Sequence, residues 1–141
     1  MKSTAELASS IADVLEPRRE ILEAYLFGSH GRGAEQAHSD VDVAVFIDER
    51  PAEPGLFGYQ SALTATLMSA LGTNSVDVVI LNDAPPLLYH RVLRDGQRLL
   101  SRNLQATTVR EGRALSRYCD FVPLLDKIDA TLRAAGSHGE R

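Results

Sequence analysis

The chain has 141 residues, a net charge of -4 and a single cysteine, Cys119. That length fits one compact domain, and the acidic balance argues against a general nucleic-acid binder, which would carry a basic patch. With 44% hydrophobic and 24% charged residues, no apolar run of membrane-spanning length, no signal-like N-terminus and no Cys/His metal spacing, the expectation is a cytoplasmic globular protein without a disulfide. Cys119 reads as a small buried hydrophobe.

Ser3 to Glu16 has the spacing of an amphipathic helix. Leu7, Ile11 and Val14/Leu15 share a face, Ser3 and Glu6 form a capping box, and Pro17 ends the pattern. "AYLF" (Ala24 to Phe27) is a short buried strand stopped by Gly28. Gly31 and Gly33 allow at most a short helix after it. Val41 to Ile47 alternates cleanly and is the clearest strand. "DERPAEPG" is a loop, and Leu56 to Leu71 returns to helical spacing until "GTNS" breaks it. "VDVVIL" (Val76 to Leu81) is a β-branched strand. A helix follows from about Leu87 to Leu93, with Pro86 near its first turn. "DGQRLL" is a turn into a last strand. Asn103 caps a long C-terminal helix that Pro123 should kink or split, and "AAGSHGER" should be disordered. The order implies an α/β fold: a small mixed sheet with flanking helices and a C-terminal helical tail. Its expected organisation is a catalytic domain over residues 1–102, a helical extension over 103–134 and a disordered tail over 135–141.

The strand from Val41 carries an apparent cost. Asp40 and Asp42 lie two apart and point the same way. At ~4 Å and an effective dielectric of ~20, two such charges repel by on the order of 4 kcal/mol. Asp77 enters near the start of the next strand. If those strands are neighbours, the three carboxylates can converge, and oxygen-rich clusters of this kind bind hard divalent cations such as Mg²⁺. Upstream, Gly28 lets a backbone approach a ligand closely, while Ser29 offers a hydroxyl and the turn free amides for a phosphate. Taken together, these are the phosphate half and the metal half of one site for in-line displacement at phosphorus.

The spacing from Ser29 through ten residues to Asp40-Val41-Asp42, followed by Asp77, resembles the minimal nucleotidyltransferase (MNT or MntA-like) family of the polymerase-β-like superfamily. "LFGSHGRG", "SDVDVAVF", "VDVVIL" and "RVLRDGQRLL" resemble its successive segments, and "RYCDFVPLL" resembles the tail of its antitoxin members. The resemblance implies a nucleotidyltransferase fold. Gly28 and Ser29 would hold ATP phosphates, with Arg32 within reach of one. Asp40, Asp42 and Asp77 would ligate Mg²⁺ (two ions), and Asp77 would help activate the attacking hydroxyl. It further implies the antitoxin of a type VII pair, a protein adenylyltransferase that moves AMP from ATP to a tyrosine of a HEPN-domain RNase toxin encoded next door. His30 and His38 depart from the family pattern without removing a motif residue.

Three other readings stay open. The chain could neutralise a toxin by binding alone, or transfer a nucleotide to a small molecule or to RNA. Arg91, Arg94, Arg98 and Arg102 are either a solvated face or a grip on an acidic partner or RNA. Tyr118, Phe121, Leu124 and Leu125 are either core or interface.

Overall fold

The computed structural model describes residues 3–28, 40–48 and 56–139. In chain order these form helix α1 (Thr4–Leu15), strands β1 (Ile21–Phe27) and β2 (Val41–Ile47), helix α2 (Leu56–Leu71), strand β3 (Val76–Ile80), a 3-10 turn (Leu81–Asp83), helix α3 (Pro86–Asp95), strand β4 (Gln97–Ser101) and helix α4 (Leu104–Gly139). The α/β expectation holds. The sheet order is β3-β2-β1-β4, with β1 antiparallel to both β2 and β4 and β2 parallel to β3.

Local chemistry sets the element ends. The Ser3 hydroxyl accepts from the Glu6 amide at 3.2 Å and starts α1, and Asn103 Oδ1 accepts from the Ala106 amide at 3.0 Å and starts α4. Each cap satisfies an amide that the helix leaves without an internal partner. Asn82 extends the β2–β3 ladder beyond the end of β3: its side chain accepts from Ile47 N at 3.0 Å and donates to Ile47 O at 2.8 Å.

The two faces of the sheet bury separate cores. Val41, Val43, Val45 and Ile47 of β2 pack with Ala24 and Leu26 against Leu7, Ile11 and Leu15 of α1 and Leu63 and Leu67 of α2. On the opposite face, Tyr25, Phe27 and Ala44 pack with Leu81, with Tyr89 and Val92 of α3 and with Ala114 of α4. Burial of each large aliphatic side chain contributes about 1.5–3 kcal/mol, so the central strands β1 and β2 anchor both layers.

Several expectations are corrected. The first strand starts at Ile21 rather than Ala24, because Glu23 interrupts its apolar run yet lies fully buried inside it. Pro123 does not split the C-terminal helix: α4 is one 36-residue helix with Pro123 inside it. Pro123 sits on an exposed side of α4, where water can serve the Cys119 carbonyl that loses its helical bond. Cys119 itself is exposed, not buried, since α4 has left the body of the protein by that point.

Three of the four arginines do not join a common basic face, leaving Arg91 exposed. Arg98 is paired with Glu111 and Arg94 with Asp95. Arg102 turns inward, donating to the carbonyls of Leu15, Glu16, Arg18 and Ile21. It thereby caps the end of α1 and joins it to β4.

Candidate active site

The sequence signals meet at one end of the sheet. β1 ends there, while β2 and β3 begin there. Phe27 of β1 stands opposite Asp42 of β2, and Asp42 stands in register with Asp77 of β3. Since Val41, Val43, Val45 and Ile47 face α1 and α2, alternation turns Asp42 to the face carrying α3 and α4, and the parallel register gives Asp77 the same side. Asp40 shares that parity just before the strand. Asp42 is half-buried, whereas Asp40 and Asp77 are exposed.

Gly28 closes the row. Its φ is +70°, a left-handed conformation that a side chain disfavours. A Cβ built on it would run into Asp42 Oδ2. Glycine is therefore required twice over, once for the positive φ and once for the approach of the backbone to the carboxylate. Ser29, Arg32, His30 and His38 lie outside the described residues.

The backbone register gathers the carboxylates more than their side chains do. Among the described residues, no group of three His, Cys, Asp or Glu side chains is close enough together to hold a metal ion. Like charges directly opposite on neighbouring strands repel, which favours splayed side chains. The chemistry of the donors nonetheless fits Mg²⁺: Asp40, Asp42 and Asp77 offer oxygen alone, from one sheet end, beside a backbone that Gly28 keeps open.

A cavity of about 440 Å³ opens beside Asp77, lined by Gln60, Val79, Asp83, Pro85 and Leu88. It places room for a second reactant against the exposed carboxylate.

Two networks on the same face of the sheet escaped the sequence reading. Glu23 accepts from Arg110 Nε and Nη2, both at 2.7 Å, and from the Thr107 hydroxyl at 2.9 Å. The guanidinium also lies 4.9 Å from the centre of the Phe46 ring. Glu23 raises the Arg110 pKa further, keeping it charged. Two residues along β1, the Tyr25 hydroxyl donates to Glu111 at 2.6 Å, and Arg98 donates to the same carboxylate at 2.7 Å. Burial first, then that hydrogen bond, raises the Tyr25 pKa far above normal. These pairs fix α4 across the face of the sheet to which Asp42 and Asp77 also turn. Their only sequence signal is a glutamate within an apolar strand, since the α4 partners of Glu23 and Tyr25 lie more than eighty residues away.

The mixed sheet thus carries an aspartate pair at one strand start, a third aspartate in register and Gly28 against Asp42. A family model described as polymerase beta, nucleotidyltransferase matches residues 9–105, and the chain belongs to that family. Similar solved structures include a toxin–antitoxin with AMP-PNP, at 25% identity and a TM-score of 0.70, covering 86% of this chain and 97% of that one. A mutant of the MntA-HpeT toxin–antitoxin is 26% identical with a TM-score of 0.67, over 85% and 95% of the two chains. A structure of a tri-AMPylated Shewanella oneidensis HEPN toxin with MNT antitoxin shares the fold at 22% identity and a TM-score of 0.65, covering 89% and 98%. No curated protein sequence matches.

Proposed function

We propose that this nucleotidyltransferase is the antitoxin of a toxin–antitoxin pair and transfers AMP from ATP to a tyrosine of a cognate HEPN-domain RNase toxin in the cytoplasm. The observation that carries this reading is the row formed by Gly28, Asp42 and Asp77 at one sheet end. The relatives with AMP-PNP and with an AMPylated toxin support the donor and the acceptor.

In this reading Gly28 and Ser29 cradle the ATP phosphates, with Arg32 against one of them. Asp40, Asp42 and Asp77 hold Mg²⁺. Mg²⁺ held by these carboxylates would offset their repulsion and would supply charge to polarise the phosphate oxygens. Asp77, the exposed member beside the cavity, accepts the proton of the incoming tyrosine hydroxyl. The tyrosine oxygen bonds to the α-phosphorus, the α–β phosphoanhydride bond breaks, and pyrophosphate leaves. The added phosphate brings negative charge and bulk to the toxin's RNase site.

The test incubates the protein with α-labelled ATP, Mg²⁺ and the HEPN protein encoded beside it. Label should move to a toxin tyrosine, and chelation of Mg²⁺ should stop it. Asp42→Asn or Asp77→Asn should slow transfer by about a hundredfold or more, as losing a charge-stabilising group in other enzymes does. If no label moves and Asp40→Ala/Asp42→Ala still neutralises the toxin, the reading fails. Neutralisation by binding alone is the second reading, favoured by the long exposed part of α4, and absence of nucleotide affinity in a calorimetric titration would select it.

A further inference from the structure

The contacts of α4 climb the sheet toward the aspartates. Thr107 and Arg110 meet Glu23, and Glu111 meets Tyr25 one step further along β1. Gly112 and Leu115 then share a cavity with Gly96, the residue before Gln97, which stands opposite Leu26 of β1. The Tyr118 ring stacks on His90 of α3 at 3.6 Å. There the packing ends: from Cys119 to Ala135 every side chain is exposed or half-exposed. The helix thus leaves the body at the end of the sheet that carries Gly28 and Asp42. At 1.5 Å per residue, it projects roughly 30 Å beyond Tyr118.

The projecting part keeps a regular apolar seam. Ala114, Tyr118, Phe121, Leu125, Ile128 and Leu132 follow one another at alternating intervals of four and three residues. That mean period of 3.5 is the repeat by which one helix packs along another. The seam begins in the core, where Ala114 is buried, and runs on uncovered to Ile128 at 46% and Leu132 at 66% exposure. Pro123 lies off it, on the opposite side.

The residues flanking the seam argue against a second copy as its cover. Positions that would face a partner helix beside it hold Arg117, Val122, Leu124, Asp129 and Thr131. Self-pairing in parallel would set Leu124 against Asp129, and in either direction no opposite charges meet across the joint to fix register. Asp129 is moreover already paired with Arg133 of the same helix.

We infer that the seam from Phe121 to Leu132 is the docking strip for an amphipathic helix of the protein that receives AMP, holding its acceptor hydroxyl at the aspartate end of the sheet. This rests on the proposed transfer to a protein. It makes acceptor choice a property of α4 rather than of the small cavity beside Asp77.

Ile128→Asp/Leu132→Asp tests it, since both positions are exposed and the fold should be retained, as circular dichroism and the thermal midpoint check. The chain should sediment as a monomer on its own. By titration, the double variant should bind the adjacent-frame HEPN protein at least about tenfold more weakly. KM for that protein should rise by a similar factor, with ATP affinity and kcat at saturation unchanged. Equal binding and transfer by variant and wild type would overturn the inference, as would a wild-type dimer that the substitutions split, or a failure of the wild type to bind the HEPN protein. If the wild type binds but moves no AMP, the transfer reading fails while the titration still decides the seam.

Discussion

Gly28 shows how a single missing side chain can hold a site open. Its positive φ disfavours a Cβ, and the atom that a Cβ would meet belongs to Asp42, the central carboxylate of the row. Gly28→Ala therefore combines backbone strain with displacement of Asp42. We expect a stability loss of only about 1–2 kcal/mol, because Gly28 lies at the sheet end and not in either core. Nucleotide transfer should fall far more steeply, by about two orders of magnitude. Chemical denaturation alongside a transfer assay separates the two effects. A variant that keeps transfer while losing stability would show that the glycine serves the backbone conformation alone.

At the scale of elements, the join between β1 and α4 rests on a charge pair inside the protein. Glu23 is fully buried and depends on Arg110 for two of its hydrogen bonds. Replacing such a pair with matched apolar residues can be harmless, but removing one partner strands the other. Arg110→Ala should therefore cost about 3–5 kcal/mol by denaturant titration. Glu23→Leu/Arg110→Leu should recover much of that loss. If Arg110→Ala costs under about 1 kcal/mol, water reaches Glu23 and the pair is not what fixes α4. The same join explains why α4 can project so far: its first three turns are bonded to the sheet, leaving the remainder free for a partner.

Across the whole molecule, what could be read from the sequence was what short-range pattern encodes. The periodicity of Leu7, Ile11 and Leu15, the alternation of Val41 to Ile47, and the caps at Ser3 and Asn103 each act within a few residues, so element order followed. The neighbouring of β2 and β3 was only a condition in the sequence, and topology supplied it by setting Asp42 beside Asp77. Glu23 with Arg110, or Arg102 with the end of α1, pairs residues more than eighty positions apart, and no local pattern announces such partners. Exposure of Cys119 was likewise invisible, because it depends on where the body of the protein stops beneath α4.

That same burial makes the whole fold sensitive to alkali. Burial is the first cause raising the pKa of Tyr25, Tyr59 and Tyr89, with Glu111 and Glu20 hydrogen bonds next for the first two; Tyr89 is pushed up to about 12. A tyrosine whose folded pKa exceeds its unfolded value stabilises the fold fully below the unfolded value near 10. That contribution is lost as pH rises through the folded pKa, because the unfolded chain releases its proton first. Each of the three should lower unfolding free energy by about 1.4 kcal/mol per pH unit above pH 10. Tyr89 also isolates the effect: its hydroxyl is buried without a hydrogen-bond partner among the described residues. Tyr89→Phe should thus raise stability by about 1 kcal/mol at neutral pH and remove one tyrosine's share of the alkaline slope. Urea unfolding at pH 8, 10 and 11 measures both quantities. Parallel stability curves for variant and wild type would mean that the Tyr89 proton leaves as readily from the folded chain as from the unfolded one.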